Sequence, residues 1–134
     1  MFSLQIKYLS FFFGLISVLS FFNIIYSYYL NLYLNLDTYY LSLIISLIIS
    51  VLFYKIKTPE KKSSIFEKIL TVFFGYLLIP AVLSIPFYFS IYNLTFLDSY
   101  FEAISGFTST GFTIFDDLKK YDESLILWRA SSQW

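Results

Sequence analysis

Between Leu94 and Lys120 the chain reads LTFLDSYFEAISGFTSTGFTIFDDLKK. At its centre, Thr108-Ser109-Thr110-Gly111-Phe112-Thr113 sets hydroxyl side chains around a glycine. Gly111 can take φ > 0, which lets successive carbonyls turn the same way. A ring of such carbonyls can replace the hydration shell of a cation. The hydroxyls of Thr108, Ser109 and Thr110 add further oxygen donors. Taken alone, such a stretch is an ordinary extracellular turn, so the flanks matter. Ala103 to Phe115 is an uncharged run of 13 residues between acidic flanks. It is too short to cross about 30 Å of hydrocarbon and suits a dip that enters and leaves on one side.

Other chemistry is poorly provided for. The chain has no Cys and no His, so there is no thiol nucleophile, imidazole base, disulfide or Cys/His zinc site. No nucleophile–base pair stands out, and an enzyme is not expected. No cofactor is expected either, and the balance of nine basic and nine acidic residues gives no footprint for nucleic acid.

Positioning the central loop requires a short helix before it. Ser99-Tyr100-Phe101-Glu102 has capping-box spacing, and Gly106 is a plausible stop. The carboxyl end of that helix, carrying partial negative charge, would favour a cation. Glu102 can either orient the loop through backbone N–H groups or simply cap the helix. Arg129 can brace the loop or snorkel to the interface; a structural role is favoured. Asp116, Asp117, Asp122 and Glu123 could enrich cations at a vestibule. Lys119 and Lys120 offset them, which favours a solvated loop. Trp128 and Trp134 read as packing and interface aromatics. Serines in the first helices can bond back to helix carbonyls, and Asn23 can bond across to a neighbouring helix.

Around this region the chain is built for lipid. Hydrophobic residues make up 58% of its 134 residues and charged residues 13%, about half the usual share for a soluble domain. Uncharged runs cover Tyr8–Leu36, Thr38–Tyr54 and Ile69–Leu97, each long enough to span as a helix. The first resembles a signal peptide at its start but runs on past any normal apolar core, without a small-x-small cleavage site, so it reads as a retained helix. Pro80 and Pro86 fall inside the third run and predict a kink. Six of the nine basic residues, Lys7, Lys55, Lys57, Lys61, Lys62 and Lys68, fall on one side. The positive-inside rule makes that side cytoplasmic, with the amino terminus, and puts the loop near Asp37 outside.

Tyr100 to Gly111, YFEAISGFTSTG, closely resembles the first pore loop of the TrkH/KtrB/HKT superfamily of potassium uptake proteins, usually FFEAxSGFTTTG. Leu127 to Trp134, LWRASSQW, is similar to that family's LFWRSxTQW, the start of the helix after the filter. The likeness is strong over Leu94–Trp134, and before that it rests on a helix pattern like the bacterial TrkH type. Ser109 stands where Thr is commoner.

The resemblance implies an all-α integral membrane protein. Residues 1–57 would form two additional amino-terminal transmembrane helices, with a cytoplasmic basic loop to about 65. Residues 66–134 would form the first, incomplete, membrane–pore–membrane repeat. It would hold a transmembrane helix, a re-entrant pore helix with its filter loop, and the start of a fourth, truncated transmembrane helix. Thr108, Ser109, Thr110, Gly111 and Phe112 would line the filter, with K⁺, the transported ion, held by carbonyls around Thr110 and Gly111. Glu102, Gly106 and Arg129 would support the loop. Four repeats share one pore in this family, so the chain is expected to be an amino-terminal piece; assembly of four copies is disfavoured. Expected partners are membrane lipid, the missing remainder of the transporter, a second copy in a homodimer and a TrkA-like cytosolic nucleotide-binding subunit. The expected site is the bacterial inner membrane. The alternative is a small non-transporting membrane protein or decayed gene product.

Overall fold

The computed structural model describes residues 6–56 and 64–133. Lys57, Lys61, Lys62 and Trp134, on which part of the orientation and resemblance arguments rests, lie outside these residues. The described residues form helices α1 (Ile6–Tyr29), α2 (Leu36–Lys55), α3 (Ile65–Leu83), α4 (Ile85–Tyr88), α5 (Phe96–Phe107) and α6 (Glu123–Ser131), with a 3-10 turn at Leu118–Lys120. No strand occurs among them. Three helical stretches, Ile6–Tyr29, Leu36–Lys55 and Ile65–Tyr88, are long and apolar enough to cross a membrane. Their outward faces carry large apolar side chains, with Phe11 65%, Leu52 57% and Phe73 61% exposed. A water-facing patch of that kind would be costly, so these faces suit contact with lipid or with other protein.

The helices begin and end at chemical signals rather than at the edges of the uncharged runs. α1 stops at Tyr29, well before Leu36, because Asn31 takes a left-handed φ of 56°. The Leu32 N–H then reaches back to the Ser27 carbonyl at 2.8 Å, the long bond of a Schellman-type ending. α3 starts four residues before its uncharged run, where Ser64 and Glu67 form a reciprocal capping box. Pro80 lies inside α3 as expected. Pro86 does not: it occupies the first turn of α4, where a missing N–H matters little. Ser84 joins the two helices, its N–H donating to the Pro80 carbonyl at 2.8 Å.

α1 and α2 pack antiparallel through serines. The Ser10 and Ser50 hydroxyls each donate to the other residue's carbonyl at 2.8 Å, and Ser20 donates to Ser42 at 3.3 Å. Small residues let the backbones approach closely, and their hydroxyls bond across. Asn23 does not bond across as expected; its buried Oδ1 has no partner among the described residues. α3 lies parallel to α1, with Gly75 facing Leu9. α5 turns back along α3: Phe96 meets Tyr88 near the far end, the Tyr100 hydroxyl donates to the Leu77 carbonyl, and Phe107 stops against Tyr76 near the middle of the Ile65–Tyr88 stretch. α6 descends beside it, with Trp128 fully buried and its Nε1–H donating to the Leu83 carbonyl at 3.0 Å.

Candidate functional site: the loop held by Glu102 and Arg129

α5 is capped one turn earlier than the spacing suggested. Thr95, not Ser99, is the N-cap, accepting the Asp98 N–H at 3.2 Å and donating to the Asp98 carboxylate at 2.6 Å. Ser99 is buried within the helix and donates back to the Thr95 carbonyl. Glu102 is therefore released from any capping duty. It is fully buried, and its carboxylate points at the segment beyond the helix end. Oε1 accepts the Thr113 hydroxyl at 2.7 Å and the Ile114 N–H at 2.5 Å. Oε2 accepts Arg129 Nε at 2.7 Å. Glu102 thus bonds the segment after α5 and Arg129, not the start of α5.

Arg129, on α6, completes the clamp. Its side chain is 14% exposed. Nη2 donates to the Gly111 carbonyl at 3.3 Å and the Phe112 carbonyl at 3.0 Å. One guanidinium thus ties the buried carboxylate of α5 to two loop carbonyls, the multidonor geometry that suits arginine rather than lysine. Ser105 adds a second hold on Phe112, donating to its carbonyl at 2.6 Å. Arg129 braces the loop and does not snorkel away from it.

Gly106 does not stop α5, which continues through Phe107 with Thr108 as its C-cap. The residue has another use. A methyl group at Gly106 would collide with the Ser132 hydroxyl, so glycine here lets α6 approach α5 closely enough for Arg129 to reach Glu102. Beyond the helix, Ser109 and Gly111 have φ of 55° and 78°. Nothing lies near the space a Gly111 side chain would fill, so backbone conformation alone selects glycine there. Ser109 tolerates its left-handed φ with its N–H bonded to the Gly106 carbonyl at 2.9 Å. Thr108 and Thr110 turn their hydroxyls back, to the carbonyls of Ile104 at 2.7 Å and Ser105 at 3.2 Å.

Of the five residues expected to line a filter, Ser109 to Phe112 are exposed and Thr108 is half-buried. They divide in two. The Gly111 and Phe112 carbonyls are engaged by Arg129. The Ser109 and Thr110 carbonyls take no hydrogen bond from the described residues. Oxygen atoms available to a ligand therefore sit on the helix side of Gly111.

A second polar cluster forms where a solvated acidic loop was expected. Asp122 is buried. It caps α6 through Ser124, whose N–H and hydroxyl it accepts at 3.2 and 3.0 Å, and it accepts Asn35 Nδ2 at 3.2 Å. Asn35 in turn accepts the Ile91 N–H at 3.1 Å, and the Tyr39 and Ser124 hydroxyls lie 2.8 Å apart. The Asp122 N–H donates to the Tyr92 hydroxyl at 2.6 Å. Partial burial raises the Tyr92 phenol pKa; the Asp122 N–H bond opposes that and the Asp122 charge adds to it. Asp122 is thus the latch between the start of α2, the α4–α5 connection and α6. Asp116, Asp117 and Glu123 remain exposed. Nothing in the local spacing announces the latch, because Asn35 lies 87 residues away.

No protein-family model matches the chain. Over 80 residues, 60% of this chain, it is 26% identical to an uncharacterized cation transporter of Methanocaldococcus jannaschii. The matched stretch spans 17% of that protein's length. The finding is of a helical chain with three helices of membrane-crossing length, distantly similar to a protein named as a cation transporter.

Proposed function

We propose that the chain carries one of four pore repeats of a Trk-type potassium uptake transporter, with α5 as its re-entrant pore helix and Thr108–Phe112 as its quarter of the filter. The observation that carries the reading is the clamp: a fully buried Glu102 and an Arg129 from the next helix hold an exposed, partly left-handed segment at the end of a helix that stops halfway along its neighbour. Irregular backbone at that depth is tolerable only where protein buries it or a wet cavity faces it. Arg129 anchors the carbonyls of Gly111 and Phe112 and leaves those of Ser109 and Thr110 to face an ion. A dehydrated cation needs oxygens on all sides. One loop supplies one side, and the similarity to a much longer cation transporter supports the other repeats lying outside these 134 residues.

Potassium uptake by a longer polypeptide containing residues 1–134 and three further loops of this kind tests the proposal. Gly111→Ser and Gly111→Ala should abolish uptake or its preference for K⁺ over Na⁺, since a Cβ penalises φ of 78°. Unchanged preference would remove Gly111 from the filter. The 134-residue chain alone, in liposomes with a K⁺ gradient, should carry no selective flux; selective flux that rises with protein density would revive four-copy assembly.

A further inference from the structure

An apolar groove of about 370 Å³ runs between α1 and α3, walled by Leu9, Phe12, Val72 and Ile79, floored by Gly75 and opening at Lys68. We propose that it seats one anionic phospholipid, with an acyl chain along the groove and the phosphate on Lys68. The inference rests on the membrane reading of the helices but not on the filter.

Three observations support it. The first is length. From Lys68 to Ile79 the groove follows α3 for about 16 Å at 1.5 Å per residue. That is about half of a 30 Å hydrocarbon core, the depth of one leaflet. At the inner end Phe107 closes the groove, edge-on to the Tyr76 ring at 5.4 Å.

The second is shape. Gly75 leaves a notch where a side chain would stand, and a methyl there would already meet Leu9 at 3.4 Å. Leu9 therefore packs close against Gly75, and the groove lies beside that contact, between Phe12 of α1 and Val72 and Tyr76 of α3.

The third is charge. Among the described residues the one ion pair is Arg129 with Glu102, so Lys68 stands at the groove mouth without a carboxylate partner. Its neighbour Glu67 is turned to the start of α3, where it accepts the Ser64 N–H. Tyr8 lines the same mouth, an amphipathic ring suited to headgroup level. A neutral lipid or an apolar helix would make no use of the Lys68 charge.

The test is photolabelling of the full chain in nanodiscs. Phosphatidylglycerol and phosphatidylcholine carrying the same acyl-chain diazirine are compared, and adducts are mapped by peptide mass spectrometry. Phosphatidylglycerol adducts should concentrate on the α1 and α3 peptides holding Phe12 and Val72. They should exceed phosphatidylcholine adducts by about five-fold, the usual worth of one lysine at an anionic surface. Lys68→Glu should erase the preference, and Lys68→Gln should do so without a new charge if the first variant folds poorly. Gly75→Val should reduce adducts from both lipids by narrowing the notch. Equal labelling by the two lipids, or adducts as frequent on the exposed face of α2, would overturn the proposal. So would cross-links between copies at Val72 in place of lipid adducts. Loss of K⁺ selectivity on Gly111 substitution bears on the filter and leaves this outcome untouched.

Discussion

Between α1 and α2, Ser10 and Ser50 trade hydroxyl bonds with each other's carbonyls, and Ser20 reaches Ser42. Between α5 and α6, Glu102 and Arg129 bond each other and then spend their remaining capacity on the loop between them. Both regions are polar seams between helices, and both are largely buried. The seam made by Ser10, Ser20, Ser42 and Ser50 closes on itself: each of these hydroxyls has a partner on the facing helix, and none is aimed at a loop. The charged seam is open. Its bonds end on Thr113, Ile114, Gly111 and Phe112, residues with no helix or sheet to fix them. Neutral hydroxyls suffice to register two helices, whereas a loop without its own hydrogen-bond ladder needs charge-assisted bonds from a rigid neighbour.

The comparison breaks most visibly at Glu102. Removing one partner of a buried ion pair leaves the other charge uncompensated, typically at about 3–5 kcal/mol. Glu102→Ala should therefore lower the unfolding midpoint in detergent more than any serine substitution in α1 or α2. It should also release amide exchange at Ile114. A Glu102→Met, Arg129→Met double variant sharpens the point, since apolar replacement of a buried pair is often neutral for stability. It should recover much of the midpoint while the Ile114 amide stays fast. If exchange there is as slow as in the parent chain, the clamp does not order the loop.

Asp122 should come next. An N-cap carboxylate replaced by alanine costs about 0.5–2 kcal/mol, and Asn35 would lose a buried acceptor as well. Asp122→Ala should weaken the junction of α2 and α6, read as faster exchange at Ser124 and Leu125, with Ile114 unaffected. Faster exchange at Ile114 to the same degree would mean the latch and the clamp form one cooperative unit.

What the sequence could disclose depended on how local each cause is. Hydropathy located the three long helices, because apolarity over some 20 residues is a property of each segment alone. The left-handed Gly111 was legible because glycine is the residue such a turn selects. The left-handed Ser109 was not, since it depends on a bond to Gly106 that no composition rule implies. The S-x-x-E pattern occurs at Ser64–Glu67 and at Ser99–Glu102, and it caps only the first. At the second, Arg129 draws the carboxylate away from 27 residues along the chain. Asp122 looked solvated for the same reason: its neighbours in sequence are charged, but its neighbours in space are Asn35, Ser124 and Tyr92.

The smallest effect belongs to the serine seam. Ser20 is fully buried and has two acceptors: the Ile16 carbonyl at 2.9 Å in its own helix and the Ser42 hydroxyl at 3.3 Å across the interface. Ser20→Ala removes both bonds, of which only the longer crosses the interface, while Ser42 keeps a position small enough for close packing. Hydrogen bonds between membrane helices average about 0.6 kcal/mol, because the separated helices also find partners. The alanine methyl fits where the serine Cβ already sits, so no cavity opens. The unfolding free energy of Ser20→Ala should thus lie within about 0.6 kcal/mol of the parent's, and a Ser20→Ala, Ser42→Ala pair should show little additional loss. A loss comparable to Glu102→Ala would mean that the α1–α2 seam, and not the charged clamp, dominates the stability of the chain.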